Sequence, residues 1–397
     1  MRILSICYEY PPVGGGGATV AAALNGQLAA NGHDVDVVTS AMKGLPSAEL
    51  VNGVWVHRAS CVRKHRHFTT APELATTLLP SYWQANALVR RHMPDVIHAH
   101  FAFPSGVVAR LVAQRYGIPY VLTAHGSDIP GYNPDRFEFL HQLLKPMWNA
   151  VMQDAAAVVS PSHFLADLIH DSINLPIDVI PNGFDAERPA ADGGSRNAPS
   201  AMIPLRPKRN LVLVVARLFP RKGVQHFIDS VAALATDWEF VIAGDGPYLP
   251  ELRVRAEAAN ARVRFAGFLP KAELRALYEE ARILVFPSIR ENFPMVLLEG
   301  MDTGCAVITT DAEGCAEVVG DAGIVIEKGK AAPLRAALVE LMNNSARREE
   351  LSALALARVE HFRWSRIAAQ YQDVFMNVTR RRTALQSLVL HRPGPHG

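Results

Sequence analysis

Ile283-Leu284-Val285-Phe286-Pro287-Ser288 runs through Ile289 into Arg290-Glu291-Asn292-Phe293-Pro294-Met295-Val296-Leu297-Leu298-Glu299-Gly300-Met301, and the reading of this stretch decides the fold. The four-residue apolar run, closed by Pro287-Ser288, predicts a buried strand bounded by turn residues. Pro294 can open a helix, because the first helical position needs no backbone donor. The stretch therefore reads strand, loop, helix. Glu291 falls in the loop and Glu299 on the helix eight positions later. Both carboxylates can face the space above the strand ends, where open parallel sheets bind ligands. The backbone N–H groups of Phe293 and Met295 face the same way, as at any helix start.

The same alternation extends outward in both directions. Toward the C-terminus, apolar runs at Val307–Thr310 and Ile324–Ile326 predict strands, and helical patterns occupy 332–343, 346–361 and 364–378. Toward the N-terminus, strands are expected at 211–216, 240–243 and 263–266, with helices at 224–235, 250–259 and 271–281. A Pro- and Gly-rich break at 187–209 interrupts the pattern and reads as a linker. Before it, strands are expected at 3–8, 35–39, 54–58, 96–100, 120–123, 157–160 and 179–180, with helices at 18–31 and within 72–92. Strands alternating with helices imply parallel sheets covered on both faces. The chain thus reads as α/β, two doubly wound domains in tandem, with the cleft between them as the default ligand site. The domains are expected at 1–186 and 210–363. The tail from His391 is Pro- and Gly-rich and reads as frayed.

Bulk properties narrow the class. At 397 residues the chain exceeds what one core usually serves. Hydrophobic residues make up 49% and charged residues 20%, as in a soluble globular protein, and a net charge of +2 offers no electrostatic case for nucleic acid. Cys7, Cys61, Cys305 and Cys315 show no paired metal spacing, and Cys7 and Cys305 read as core thiols of a reducing compartment. The segment Met1–Cys7 is too short for a secretory core, and no stretch approaches the roughly 18 apolar residues of a membrane span. A cytoplasmic location is the expectation.

Four loops carry chemistry. Gly14 to Gly17 joins the first strand to the first helix, where glycines let backbone approach an anion and the helix start supplies free N–H groups. It lacks the Lys-Ser/Thr of an ATP loop and the spacing of a dinucleotide loop. It also fits a flexible turn. Arg217 and Lys222 follow the first strand of the second half; Arg can fork onto phosphate oxygens and Lys acts as a point charge. Each such bond contributes about 1.5–3 kcal/mol. Solvated surface charges would look the same. Gly244-Asp245-Gly246-Pro247 permits close ligand approach, or a tight turn. His125 and Asp128 stand after the 120–123 strand, where sites concentrate, although a lone His is commonly structural. His98 and His100 alternate along a strand and read as structural. Asp34-Val35-Asp36 resembles a metal-diphosphate signal, but it opens a strand with alternating polarity and reads as structural. No Cys/His cluster suggests a metal.

Taken together, Glu291 with Glu299 in the quoted stretch, Arg217 with Lys222, Gly244-Asp245-Gly246-Pro247, Ser160-Pro161-Ser162 and Ile180-Pro181-Asn182-Gly183 resemble the retaining glycosyltransferases of family four, with the GT-B fold. The resemblance covers nearly the whole chain. It implies two Rossmann-like domains, the first binding acceptor and the second a nucleotide-sugar donor, with the last helix, about 364–380, packing back on the first. It implies that Arg217 and Lys222 hold the donor diphosphate, approached also by the backbone of Gly15 and Gly16. Glu291 and the backbone of Asn292, Phe293, Pro294, Met295 and Val296 would hold the sugar and phosphate, and Glu299 the ribose. Gly244 belongs to the donor loops, Phe268 and Leu269 would line the base pocket, and His125 would lie near the sugar's reactive face. Relatives commonly carry Gly where Pro294 stands, so a contact made there by N–H must come from a neighbour here. No cofactor or metal is implied.

The implied reaction moves a hexose-type sugar from a UDP- or GDP-sugar to an acceptor hydroxyl with retention, in glycolipid, polysaccharide or glycoconjugate synthesis. The acceptor would be a carbohydrate or a lipid-linked sugar. Arg63-Lys64-His65-Arg66-His67-Phe68, with Ser81-Tyr82-Trp83 nearby, fits either an anionic membrane face, placing the enzyme at the inner surface of the cell membrane, or a solvated loop. A nucleotide-sugar epimerase of the same architecture and a non-catalytic sugar-nucleotide binder are the competing readings. The first does not use the Glu291…Glu299 pattern, and the second would be expected to lose Arg217, Lys222 or Glu291.

Overall fold

The computed structural model describes residues 1–66, 69–132, 134–185 and 207–390. Most of the expected linker (187–206), the tail from His391 and the pair His67-Phe68 lie outside the described residues. By contacts the chain forms two compact units, Met1–Gly183 with Trp364–Gly397, and Phe184–Arg363.

The first unit runs β1 (Arg2–Cys7), α1 (Gly16–Ala30), β2 (Asp34–Ser40), β3 (Ala48–Val51), β4 (Val54–Ala59), α2 (Ala71–Arg91), β5 (Val96–His100), α3 (Val107–Tyr116), β6 (Tyr120–Thr123), α4 (Pro134–Gln153), β7 (Ala157–Ser160), α5 (His163–His170) and β8 (Ile177–Val179). Its sheet has the order β3-β4-β2-β1-β5-β6-β7-β8. Every pairing is parallel except β3 with β4. That hairpin was not legible as an apolar run, because β3 is an edge strand exposed along most of its length. The signal that finds it is Asn52-Gly53, both at positive φ, the turn chemistry of a tight hairpin. The other strands are continuous apolar runs because helices cover both faces.

The second unit runs β9 (Arg209–Val215), α6 (Val224–Ser230), β10 (Glu239–Ala243), α7 (Leu249–Ala258), β11 (Val263–Gly267), α8 (Lys271–Glu280), β12 (Ala281–Phe286), α9 (Met295–Asp302), β13 (Ala306–Thr310), α10 (Glu313–Val319), β14 (Gly323–Ile326), α11 (Ala331–Asn343) and α12 (Ser345–Val359). The sheet order is β11-β10-β9-β12-β13-β14, all parallel. Helix α6 stops at Ser230, short of the expected 235; Ala233 sits at φ 49, which a continuing helix cannot accommodate.

A final helix, α13 (Trp364–Leu390), belongs to the first unit. Trp364, Ile367, Tyr371 and Phe375 are buried in the same core as β1 and α1. Burying each such side chain contributes about 1.5–3 kcal/mol, which is ample to seat the helix. Gly183 makes room for it, since a Cβ there would lie 2.2 Å from the Trp364 indole. No helix among the described residues is long and apolar enough to cross a membrane.

In each sheet the strand order reverses once. In the first unit the reversal lies between β1 and β5, and in the second between β9 and β12. Loops leaving such a point diverge to opposite faces and open a crevice at the strand C-termini. The glycine run and the segment after His100 leave the first reversal; the Arg217–Lys222 loop and the Glu291 loop leave the second.

Candidate active site

The loops of the second unit are knitted together at the reversal. Ile289 donates its N–H to the Arg221 carbonyl at 2.8 Å, and Thr310 Oγ1 donates to the Ser288 carbonyl. Gly314 N–H donates to the Glu291 carbonyl at 3.1 Å. Gly223, at φ +68, lets the 220–222 turn press on β12, since a Cβ there would lie 1.8 Å from the Pro287 carbonyl oxygen. These contacts bring Lys222 against Glu291, and the ammonium donates to Glu291 Oε1. Ser288 Oγ lies 2.9 Å from the same oxygen, and the Lys222 ammonium also sits over the Phe286 ring at 5.6 Å. Both members of the ion pair are 14% exposed, so water screens them only partly.

Arg217 is exposed, its guanidinium 5.9 Å from the centre of the Phe219 ring. Pro294 is the residue before the first turn of α9, one position earlier than expected, and no side chain caps this end. The N–H groups of Met295 and Val296 therefore face outward beside the Glu291 loop. Asn292 is buried, and Phe293 packs on Phe362 with ring centres 5.8 Å apart. Glu299, half-buried on α9, accepts a hydrogen bond from the Tyr278 hydroxyl at 2.7 Å. Burial and the adjacent Glu299 carboxylate hold the Tyr278 phenol well above its ordinary range, so it stays a donor.

The Gly244–Pro247 glycines meet the neighbouring loop. A Cβ on Gly244 would lie 1.9 Å from the Ala216 carbonyl oxygen, and one on Gly246 would lie 2.4 Å from that of Leu218. Phe268 is 80% exposed, whereas Leu269 packs on the core.

In the first unit the glycine run divides into two pairs. A Cβ on Gly14 would strike Ala18 and Glu9, and one on Gly17 would lie 2.4 Å from the Phe101 ring. A Cβ on Gly15 or Gly16 would meet nothing within 4 Å, so these two face open space. The Gly15 N–H meets the buried Glu9 carboxylate, whose pKa is raised by burial against the opposing effect of Arg63. Phe101 packs on Tyr8 at 5.0 Å and on His125 at 4.5 Å. Asp128 fixes the His125 backbone, accepting from its N–H at 3.1 Å and from Ala102 N–H at 2.8 Å. His125 Nε2 lies 3.0 Å from His100 Nδ1. Burial pushes the His125 imidazole down to about 3, so it is neutral near pH 7.

One sequence reading changes in detail. Arg63 does not extend into solvent; its side chain is 1% exposed, 3.9 Å from Glu9, and donates to the His65 and Arg66 carbonyls. Asp36 pairs with His57 at 2.7 Å across neighbouring strands, in keeping with its structural reading. Ser288, Tyr278, Gly314 and His100 join these groups without any mark of their own in the sequence. Tyr278, Gly314 and His100 meet partners on other elements, and Ser288 meets Glu291 within its own loop; neither kind of pairing is marked by residue type.

Residues 198–357 match the family of glycosyl transferases group 1, and residues 14–188 match Glycosyltransferase Family 4. The putative teichuronic acid biosynthesis glycosyltransferase TuaC of Bacillus subtilis is 28% identical over 60% of this chain and 59% of its own length. The glycogen synthase of Mycobacterium tuberculosis is 29% identical over 96% of this chain and 95% of that protein. The solved structure of sucrose-phosphate synthase from Thermosynechococcus elongatus superposes with a TM-score of 0.75 at 21% identity, covering 96% of this chain and all of that one, a likeness of fold.

Proposed function

Since the chain belongs to the GT-B glycosyltransferases of group 1 and family 4, which act on nucleotide sugars, we propose that it transfers a hexose-type sugar from a UDP- or GDP-sugar to an acceptor hydroxyl with retention at the anomeric carbon. The observation that carries this reading is the Lys222–Glu291 pair beside the uncapped start of α9. A cation, a carboxylate and free N–H groups at one strand reversal suit a phosphate and a hydroxylated ring together. Lys222 exchanges Glu291 for the diphosphate, with Arg217 adding a second cation. Glu291 and the 292–296 segment then hold the sugar, Glu299 the ribose, and the loops of Gly244, Phe268 and Leu269 border the nucleotide. The open space beside Gly15 and Gly16 leaves room for an anion, which would take the Gly15 N–H from Glu9, and His125 contacts the sugar.

Among these groups none is placed as a nucleophile. The acceptor attacks the face that the diphosphate leaves, and a leaving phosphate oxygen takes the acceptor proton. The protein's part is orientation and stabilisation of the charge that develops on the diphosphate, without a metal. The second unit binds the donor and the first the acceptor. A thermal-shift screen of UDP- and GDP-sugars tests this first; a true donor at 100 times its dissociation constant should add about 2.7 kcal/mol. An acceptor panel with the hit should then yield free nucleoside diphosphate and an α-linked product from an α-linked donor. An intact, epimerised donor would overturn the reading.

An acceptor carried on an anionic membrane, at the inner face of the cell membrane, is favoured by one observation. Leu79 and Trp83, one turn apart on α2, are 69% and 65% exposed. The loop bearing exposed Lys64 and Arg66 is tied to the start of that helix, Lys64 N–H donating to Glu73 at 2.9 Å. Such a face suits an interface rich in acidic headgroups. Sedimentation with vesicles that does not respond to phosphatidylglycerol content would remove this part.

A further inference from the structure

His100 is completely buried at the end of β5, and its two ring nitrogens have different surroundings. Nδ1 lies 3.0 Å from His125 Nε2, whereas Nε2 is buried with no hydrogen-bond partner among the described residues. The neighbouring ring of His98, 4.2 Å away, repeats the pattern: Nε2 lies 2.8 Å from Thr123 Oγ1 and Nδ1 is buried without a partner. Thr123 Oγ1 in turn meets the Tyr371 hydroxyl at 3.3 Å.

A His–His hydrogen bond needs one donor and one acceptor, so there are two arrangements of the protons. If His125 donated from Nε2, His100 would carry its own proton on Nε2, leaving an N–H buried without an acceptor. If His100 donates from Nδ1, its Nε2 keeps only an unused lone pair. Orphaned buried N–H groups are the rarer and costlier defect. We infer that His100 is a positioning residue that donates from Nδ1 to His125 Nε2 and thereby holds His125 as its Nδ1–H tautomer, so that His125 meets its ligand as a neutral hydrogen-bond donor. No described residue competes for that proton, because His125 Nδ1 has no hydrogen-bond partner among them. The usual preference of a neutral imidazole in water is the other tautomer, so the contact changes what His125 presents: a donor to a sugar oxygen and not an acceptor from a hydroxyl.

The tautomer assignment stands on this geometry; its consequence for turnover rests on the reading of His125 as a sugar contact. Two-bond nitrogen–proton correlation spectra of the full chain, labelled with nitrogen-15 histidine, read the tautomer directly, with His125 identified by comparison with His125→Gln. The Nδ1–H pattern is expected in the wild type, and the Nε2–H pattern there would overturn the inference without any variant having to fold. His100→Asn, whose amide can donate from the Nδ1 position, should keep the Nδ1–H pattern. His100→Leu should lose it, and an unchanged pattern in that variant would also overturn the inference.

Nucleoside diphosphate release from UDP-glucose and from GDP-mannose supplies the second readout. On whichever donor the wild type turns over, His100→Leu should lower kcat about tenfold or more with KM within about threefold, and His100→Asn should restore most of it. A lost tautomer with unchanged kcat would uphold the role of His100 and instead remove His125 from contact with the sugar.

Discussion

The Lys222 ammonium donates to Glu291 Oε1 across 69 residues of sequence, and both side chains are 14% exposed. Neither group is solvated well enough to lose the other cheaply. A cation leaving for a phosphate would be compensated by the ligand's own charge, whereas a cation deleted by mutation would not. Lys222→Ala should therefore reduce kcat by about 10- to 100-fold, the equivalent of one charge-assisted bond of about 1.5–3 kcal/mol. It should also lower the unfolding midpoint. Glu291→Gln in the same background should recover stability but not turnover, because no unpaired carboxylate then remains. Steady-state kinetics with the screened donor, together with thermal unfolding, check both halves; an unchanged kcat removes Lys222 from the mechanism.

Gly314 packs on the backbone that carries Glu291 and Asn292. A Cβ there would lie 1.7 Å from the Asn292 carbonyl oxygen, a backbone atom that cannot rotate away. Gly314→Ala should displace the loop, costing about 1–3 kcal/mol of strain and weakening donor binding more than it disturbs the β-sheet. The effect should appear as a raised donor Kd by calorimetry with an unchanged far-ultraviolet dichroism spectrum. Donor affinity equal to wild type would mean that α10 does not set the loop.

Much of this fold is legible because its strands are buried on both faces: Ile283 to Phe286 is a continuous apolar run, as a strand covered by helices must be. The edge strand β3 has no such pressure on its residues, and only its Asn52-Gly53 turn betrays it. Glu291 and Lys222 are legible as site candidates because strand-end loops are where ligands bind. Their pairing with each other is not, since it depends on which strands are neighbours. The same holds for Tyr278 with Glu299 and for His100 with His125, partners that are brought together by helix packing and strand register. The glycine run shows the limit in one loop. Four identical residues divide into Gly14 and Gly17, which the packing requires, and Gly15 and Gly16, which face open space.

The buried histidines should make the first unit acid-sensitive. His98 is held down to about 3 by burial, with His125 nearby as a lesser cause, and His100 is likewise well below its ordinary value. An unfolded histidine titrates near 6.5, so below that pH the unfolded chain binds protons that the fold refuses. Their stabilising contribution is complete above about pH 6.5 and is lost as pH falls toward 3. Each fully buried ring should cost about 1.4 kcal/mol per pH unit in that window. Urea unfolding at pH 7.5, 6.5 and 5.5 measures the slope. His98→Gln, which retains an amide donor for Thr123 but does not titrate, should flatten it by one ring's share. A stability that does not change between pH 7.5 and 5.5 contradicts the burial argument.

Tyr278 and Glu299 make the last test, because they separate binding from chemistry. The phenol on α8 donates to the carboxylate on α9 at 2.7 Å, and burial keeps it protonated across any ordinary pH. Its removal leaves the Glu299 side chain less firmly oriented without changing its charge. If Glu299 holds the ribose, Tyr278→Phe should raise KM for the donor several-fold while kcat stays within about twofold, since the lost order affects ground state and transition state alike. Glu299→Ala should show the same pattern more strongly, and combining the two substitutions should add little, because the second removes the partner that the first depended on. Donor kinetics on the three variants decide the matter. A fall in kcat at constant KM would place Glu299 with the reacting sugar instead, and additive effects would show that Tyr278 acts on the core and not through the carboxylate.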